Sequence, residues 1–132
     1  MKYLLDTYTL IYVFKRAGNC LARLNPQKGS DIAISTINLF ELEYGMGKSD
    51  NRIKMDSYVL SLCRRYAVLD FDRAASLQAG AMRALLHTRG TPIGPYDVQI
   101  AGIALANNLT IVTRNVREFA RVPQLKFENW YD

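Results

Sequence analysis

Any hydrolytic centre in this sequence has to be assembled from oxygen ligands. The chain holds a single histidine, His87, and two cysteines, Cys20 and Cys63, without paired spacing. The Cys/His sets that bind zinc are therefore excluded, and the thiols read as reduced cysteines of a cytosolic protein. The carboxylates are placed more suggestively. Asp6 directly follows the apolar run Tyr3-Leu4-Leu5, and ligands of open parallel sheets bind beyond the carboxyl ends of strands. Asp97 falls in the first turn of the helix that Gly94-Pro95 opens, where the positive end of the helix dipole favours a negative charge. Glu41 shares an apolar stripe with Ile37 and Tyr44, and Glu43 stands in the same relation to Leu39 and Met46. Helical spacing does not choose between them. Thr113, Asn115 and Glu118 follow the run Leu109 to Val112. If three or four of these acids converge, each pair about 4 Å apart repels by roughly 4 kcal/mol at an effective dielectric of 20. A divalent cation relieves that repulsion, and an all-oxygen site suits Mg²⁺ or Mn²⁺. A cation so held activates water and neutralises charge on a phosphate.

The elements that must position these groups follow from the alternation of short apolar runs with longer amphipathic stretches. That alternation predicts an α/β fold with a central, mostly parallel sheet of four to five strands flanked by helices. Strands are expected at Tyr3–Leu5, Asp31–Ile34, Ala67–Leu69 and Leu109–Val112, with an edge strand at Leu125–Phe127. Helices are expected at Thr9–Arg16, Asn19–Leu24, from a Ser35 or Thr36 cap to about Gly45, Asn51–Arg65, from an Asp72 cap to His87, from Gly94-Pro95 onward, and at Val116–Phe119. In the helix after Asp72, the residues Ala74, Leu77, Ala81, Met82 and Leu85 are expected to form the face turned to the core. The small residues of Ile100-Ala101-Gly102-Ile103-Ala104 predict a helix that packs closely against a neighbour.

The 132 residues fit one domain, spanning 1–132. The formal net charge is +5. A basic balance favours a polyanionic partner such as RNA or DNA, with Arg64-Arg65 and the trio Arg114, Arg117, Arg121 the densest local groups. The apolar stretch Tyr3 to Phe14 carries Asp6 and is too short to span a bilayer. The expected location is the cytoplasm, without membrane attachment.

Four segments together carry a family resemblance. Leu4-Leu5-Asp6-Thr7, Glu41-Leu42-Glu43-Tyr44-Gly45, Gly90-Thr91-Pro92-Ile93-Gly94-Pro95-Tyr96-Asp97 and Thr113-Arg114-Asn115-Val116-Arg117-Glu118-Phe119 stand in the order and spacing of the motifs of VapC-type PIN-domain toxins. The chain resembles that family nearly end to end. The resemblance implies a single PIN-like domain and a metal-dependent endoribonuclease. It implies ligands to Mg²⁺ or Mn²⁺ at Asp6, Glu41 and Asp97, which selects Glu41 over Glu43, and it places Asn115 and Glu118 at the fourth catalytic position with support from Thr113. It also implies a homodimer, a VapB-type antitoxin that blocks the site and carries the complex to its operator DNA, and an RNA substrate. The pattern around Pro92 to Asp97 is similar to enterobacterial members that cut initiator tRNA in the anticodon stem-loop, so tRNA is the expected substrate. One position departs from the pattern: Tyr8 stands where the family has Asn, and a phenol cannot reproduce a carboxamide's donor and acceptor pair.

Two other readings compete. A phosphohydrolase with Asp6 as nucleophile, as in haloacid-dehalogenase-like enzymes, needs a second Asp at position 8, which is Tyr8. A catalytically weakened PIN-like binding or regulatory module rests on Tyr8 alone.

Overall fold

The computed structural model describes residues 1–47 and 50–132. Its sheet has five strands, β1 (Tyr3–Leu5), β2 (Ile32–Ser35), β3 (Ala67–Leu69), β4 (Thr110–Val112) and β5 (Phe127–Glu128). They run in the order β3-β2-β1-β4-β5, and every pairing is parallel. The chain builds outward from β1 through β2 to β3, then returns to place β4 on the other side of β1. That reversal opens a crevice at the carboxyl ends of β1 and β4, the usual ligand position of a doubly wound sheet.

Each strand sends alternate side chains to opposite faces, and the core is accordingly divided. Leu4, Ala33 and Ile111 pack with Met82, Leu86, Ile100 and Ile103 on one side. Leu5, Ile32, Ile34 and Val112 pack with Leu10, Leu42, Leu62 and Trp130 on the other. The helices α1 (Thr7–Lys15), α2 (Cys20–Leu24), α3 (Thr36–Met46) and α4 (Arg52–Arg65) cover the second side, while α5 (Arg73–Thr88), α6 (Pro95–Asn107) and the short α7 (Val116–Phe119) cover the first. Cys20 is buried and Cys63 exposed, and both are free thiols. Among the described residues no helix is long and apolar enough to cross a membrane.

The predicted elements lie within a residue or two of their places, and the shifts are widest at the first helix and the edge strand. The first helix starts at Thr7, because Asp6 itself caps it: Thr9 N–H donates to Asp6 Oδ1 at 2.8 Å. The edge strand is shifted to Phe127–Glu128. The predicted inner face of α5 is the one outright error. Ala74, Leu77, Ala81 and Leu85 are exposed, Leu77 at 66%, and only Met82 of that set is buried. The buried stripe is Ala75, Ala79, Met82 and Leu86. The cause lies on α6. A Cβ on Gly102 would stand 2.6 Å from the Ala75 carbonyl oxygen and 2.7 Å from Ala79 Cβ. So close an approach admits only alanine-sized partners on α5, and the leucines are turned outward.

Candidate active site

Asp6, Glu41, Asp97 and Asn115, from four separate segments, line one pocket together with Tyr8 and Tyr96. Asp6 is brought there by β1, whose end is tied to β4 by Asp6 N–H donating to the Val112 carbonyl at 3.0 Å. Its carboxylate is buried, 5% exposed, and is bonded by Thr9 and by the buried Thr113 hydroxyl. Desolvation nonetheless pushes its pKa up, outweighing those hydrogen bonds. Thr113 in turn accepts from Asn115 N–H at 2.9 Å, so the turn after β4 is locked onto the Asp6 carboxylate.

Glu41 is held by a relay that the sequence reading did not identify. Ser35 and Asn38 form a reciprocal cap at the start of α3, with Asn38 N–H donating to Ser35 Oγ at 3.2 Å and Ser35 N–H to Asn38 Oδ1 at 2.7 Å. The cap fixes the Asn38 carboxamide, whose Nδ2 donates to Thr7 Oγ1 at 2.9 Å. Thr7 then donates to Glu41 Oε1 at 2.6 Å. Ser35 and Asn38 are fully buried. The only sequence signal was the three-residue spacing of a capping box, which by itself says nothing of a site. Glu43 points elsewhere, paired with Arg52 at 3.0 Å on the surface.

Asp97 sits in the first turn of α6. A Cβ at Gly94 would stand 3.3 Å from its Oδ2, so this approach of backbone to carboxylate favours glycine. Burial lifts the Asp97 pKa first, then a hydrogen bond with Glu118 and the charges of Glu118, Asp6 and Glu41, together to about 7. Glu118 Oε2 also accepts from Asn115 Nδ2 at 2.6 Å. Asn115 and Glu118 thus reach the acids as a hydrogen-bonded pair, with Glu118 bonded in turn to Asp97.

Tyr8 does not intrude on Asp6. It is 65% exposed at the rim of the pocket, with its ring 6.3 Å from that of Tyr12. The substitution therefore alters the pocket's wall and leaves the carboxylate's hydrogen bonds to Thr9 and Thr113.

The donor set fits a hard divalent cation: it offers carboxylate and carboxamide oxygens, and no imidazole or thiolate lines the pocket. Among the described residues no three acids already stand close enough to clasp one ion directly, although Asp97 feels the charges of the other three. The two observations agree if the ion is partly hydrated. Mg²⁺ would need only one or two of these carboxylates directly, because it usually keeps several waters.

Comparison with known proteins places this geometry in a family. The PIN domain model matches residues 3–125. The chain is 39% identical over 130 residues to the tRNA(fMet)-specific endonuclease VapC of Salmonella typhimurium, covering 98% of both. It is 37% identical over 134 residues to ribonuclease VapC2 of Rickettsia felis, again covering 98% of both. Its backbone superposes on a chain of the Rickettsia felis VapBC2 complex bound to a promoter DNA fragment, with a TM-score of 0.89, 35% identity and coverage of 98% and 99%. The chain belongs to the PIN-domain family and, within it, to the VapC proteins.

Proposed function

We propose that this chain is the toxin of a toxin–antitoxin pair, a Mg²⁺- or Mn²⁺-dependent endoribonuclease that cuts tRNA, with the initiator tRNA anticodon stem-loop as its target. The observation that carries this reading is the meeting of Asp6, Glu41 and Asp97 in one pocket at the reversal point of the sheet. The similarity to a tRNA(fMet)-specific endonuclease supports the choice of substrate.

In this reading Asp6, Glu41 and Asp97 hold the cation. Thr9 and Thr113 orient Asp6, and Asn38 orients Glu41 through Thr7. Burial and the neighbouring Glu118 raise the Asp97 pKa, and Asn115 holds Glu118 in place. A divalent cation bound there supplies an activated water and neutralises charge on the scissile phosphate. Because Asp97 is half protonated near pH 7, loading the site expels a proton, and affinity for the cation rises with pH through that value. The binding-module alternative loses support, since Tyr8 stands outside the hydrogen bonds of Asp6.

Growth inhibition, location in the cytoplasm, neutralisation by a VapB-type antitoxin and operator binding through the complex belong to the same proposal, supported by the likeness to a promoter-bound VapBC2 complex. So does a homodimer, supported by the exposed apolar stripe of α5. The decisive test is incubation of purified protein with initiator tRNA and Mn²⁺. One defined cut that disappears with excess EDTA is expected. Undiminished cutting in EDTA overturns metal dependence, and no cutting of any tRNA overturns the substrate.

A further inference from the structure

The acid pocket does not end at the carboxylates. On the Glu41 side it opens into a groove walled by Tyr8, Phe40, Tyr44 and Tyr96, with Ile11 at its base. These four rings are exposed, Phe40 at 51% and Tyr44 at 63%, and Phe40 and Tyr96 stand 5.2 Å apart with their planes inclined at 59°. On the Asp6 side the pocket continues into a cleft lined by Tyr8, Tyr12, Arg114 and Asn115. The Arg114 guanidinium lies 3.6 Å from the centre of the Tyr131 ring and is hydrogen-bonded to Tyr12. No carboxylate among the described residues lies within ion-pair distance of it.

We propose that this continuous trough is a track for unpaired RNA, with one base stacked in the groove of Tyr8, Phe40, Tyr44 and Tyr96 and a neighbouring backbone phosphate held by Arg114. The inference rests on the ribonuclease reading of the carboxylates, which places the scissile phosphate between the two. A nucleotide strand presents what the trough offers in the same order. Its rings match exposed aromatic faces, which stack on any base. Its phosphates match an exposed, planar guanidinium that forms no ion pair among the described residues and whose fork suits a phosphate. Stacking on Tyr131 fixes the guanidinium in advance, so less side-chain freedom is lost on binding. A duplex could not use the groove, because its bases are stacked on one another. An apolar peptide would leave Arg114 unmatched, and an acidic one would meet the repulsion of four carboxyl groups without bringing a reason for a cation between them.

The test is binding of a fluorescently labelled single-stranded RNA containing the cut site, measured with Asp97→Asn protein so that it stays intact, alongside cleavage by the otherwise wild-type chain. Phe40→Ala and Tyr44→Ala are expected to weaken binding by roughly 5- to 100-fold each, the range for loss of one stacked base. Phe40→Trp should retain it. Arg114→Ala should lower the slope of log affinity against log salt by about 0.7, the value for one phosphate contact on a single strand. Arg114→Lys should restore the slope but not the full affinity. A 2-aminopurine beside the cut should be quenched on binding to the parent and not to Phe40→Ala. A wild-type chain that cuts RNA while all these variants bind and cut as it does overturns the track alone and marks the groove as a protein-docking surface. A wild-type chain that neither binds nor cuts RNA overturns the ribonuclease reading and the track with it. Duplex RNA bound as well as single-stranded RNA also overturns the track.

Discussion

Two of the surfaces on which the described residues expose large apolar groups differ in kind. The trough at the carboxyl ends of β1 and β4 exposes aromatic rings interleaved with carboxylates and one stacked arginine. The outer face of α5 exposes Leu77 and Leu85 with Ala74 and Ala81, an aliphatic stripe without a titratable group of its own. An aromatic ring beside charge recognises a flat, charged ligand through its face. An aliphatic stripe on a regular helix recognises another apolar surface by exclusion of water alone. Exposed hydrophobicity is therefore not one signal, and its neighbours decide whether it points to a nucleotide or to a second protein chain.

The contrast can be broken first at the trough. Asp6→Ala, Glu41→Ala and Asp97→Ala are each expected to lower RNA cleavage by more than about 100-fold while the far-ultraviolet circular dichroism is kept, as loss of preorganised electrostatic stabilisation does elsewhere. Full activity in purified Asp97→Ala would remove the site from consideration. On the aliphatic face, the double substitution Leu77→Asp with Leu85→Asp is expected to convert a dimer to monomers at micromolar concentration, read by sedimentation. An unchanged mass would assign the stripe some other cover. Beneath that stripe, Gly102→Ala should lower stability by about 1–3 kcal/mol through overpacking, because the new methyl meets the Ala75 carbonyl. A neutral result in chemical denaturation would show that α5 and α6 can separate without cost.

The last expected effect concerns pH. The Asp97 carboxyl, normally near 3.8, is raised to about 7 by burial and acidic neighbours. The folded chain thus binds a proton that the unfolded chain has released across that window. Stability contributed by this group is full below about pH 4 and falls as pH rises toward 7. Asp97→Asn carries no such penalty, so its Tm should exceed the wild type at pH 8 and match it near pH 4. Added Mg²⁺ should shrink the difference by stabilising the ionised carboxylate. Equal Tm values at pH 8 without cation would mean that neither burial nor the neighbouring acids raise the Asp97 pKa.

Much of the fold was legible in local pattern. Short apolar runs mark β1, β2 and β4 because strands largely buried on both faces leave no polar alternation, and Asp72 and Ser35 mark helix starts because each caps three residues ahead. The α5 face was misread because its sequence carries two apolar stripes of helical period. Choosing between them required knowing that Gly102 lies opposite, and that is a contact between segments. The site divides in the same way. Asp6, Asp97 and the Thr113 to Glu118 turn were visible as polar groups at strand ends and a helix start, whereas Glu41 and Glu43 were equivalent by spacing and were separated only by resemblance.

By itself, then, the sequence determined which groups are available: oxygen ligands rather than zinc ligands, a parallel α/β framework, and acids at the ends of apolar runs. Those are matters of residue type and of period, which act within a few positions of the chain. Only the tertiary structure decided which acids share a pocket, that Thr7 and Asn38 aim Glu41, that the Asp97 pKa is raised, and which side of α5 faces water. Each of these depends on groups tens of residues apart coming within a few ångströms. Coulomb repulsion, desolvation and steric exclusion all fall off over such distances, so they have no expression in the sequence until the chain has folded.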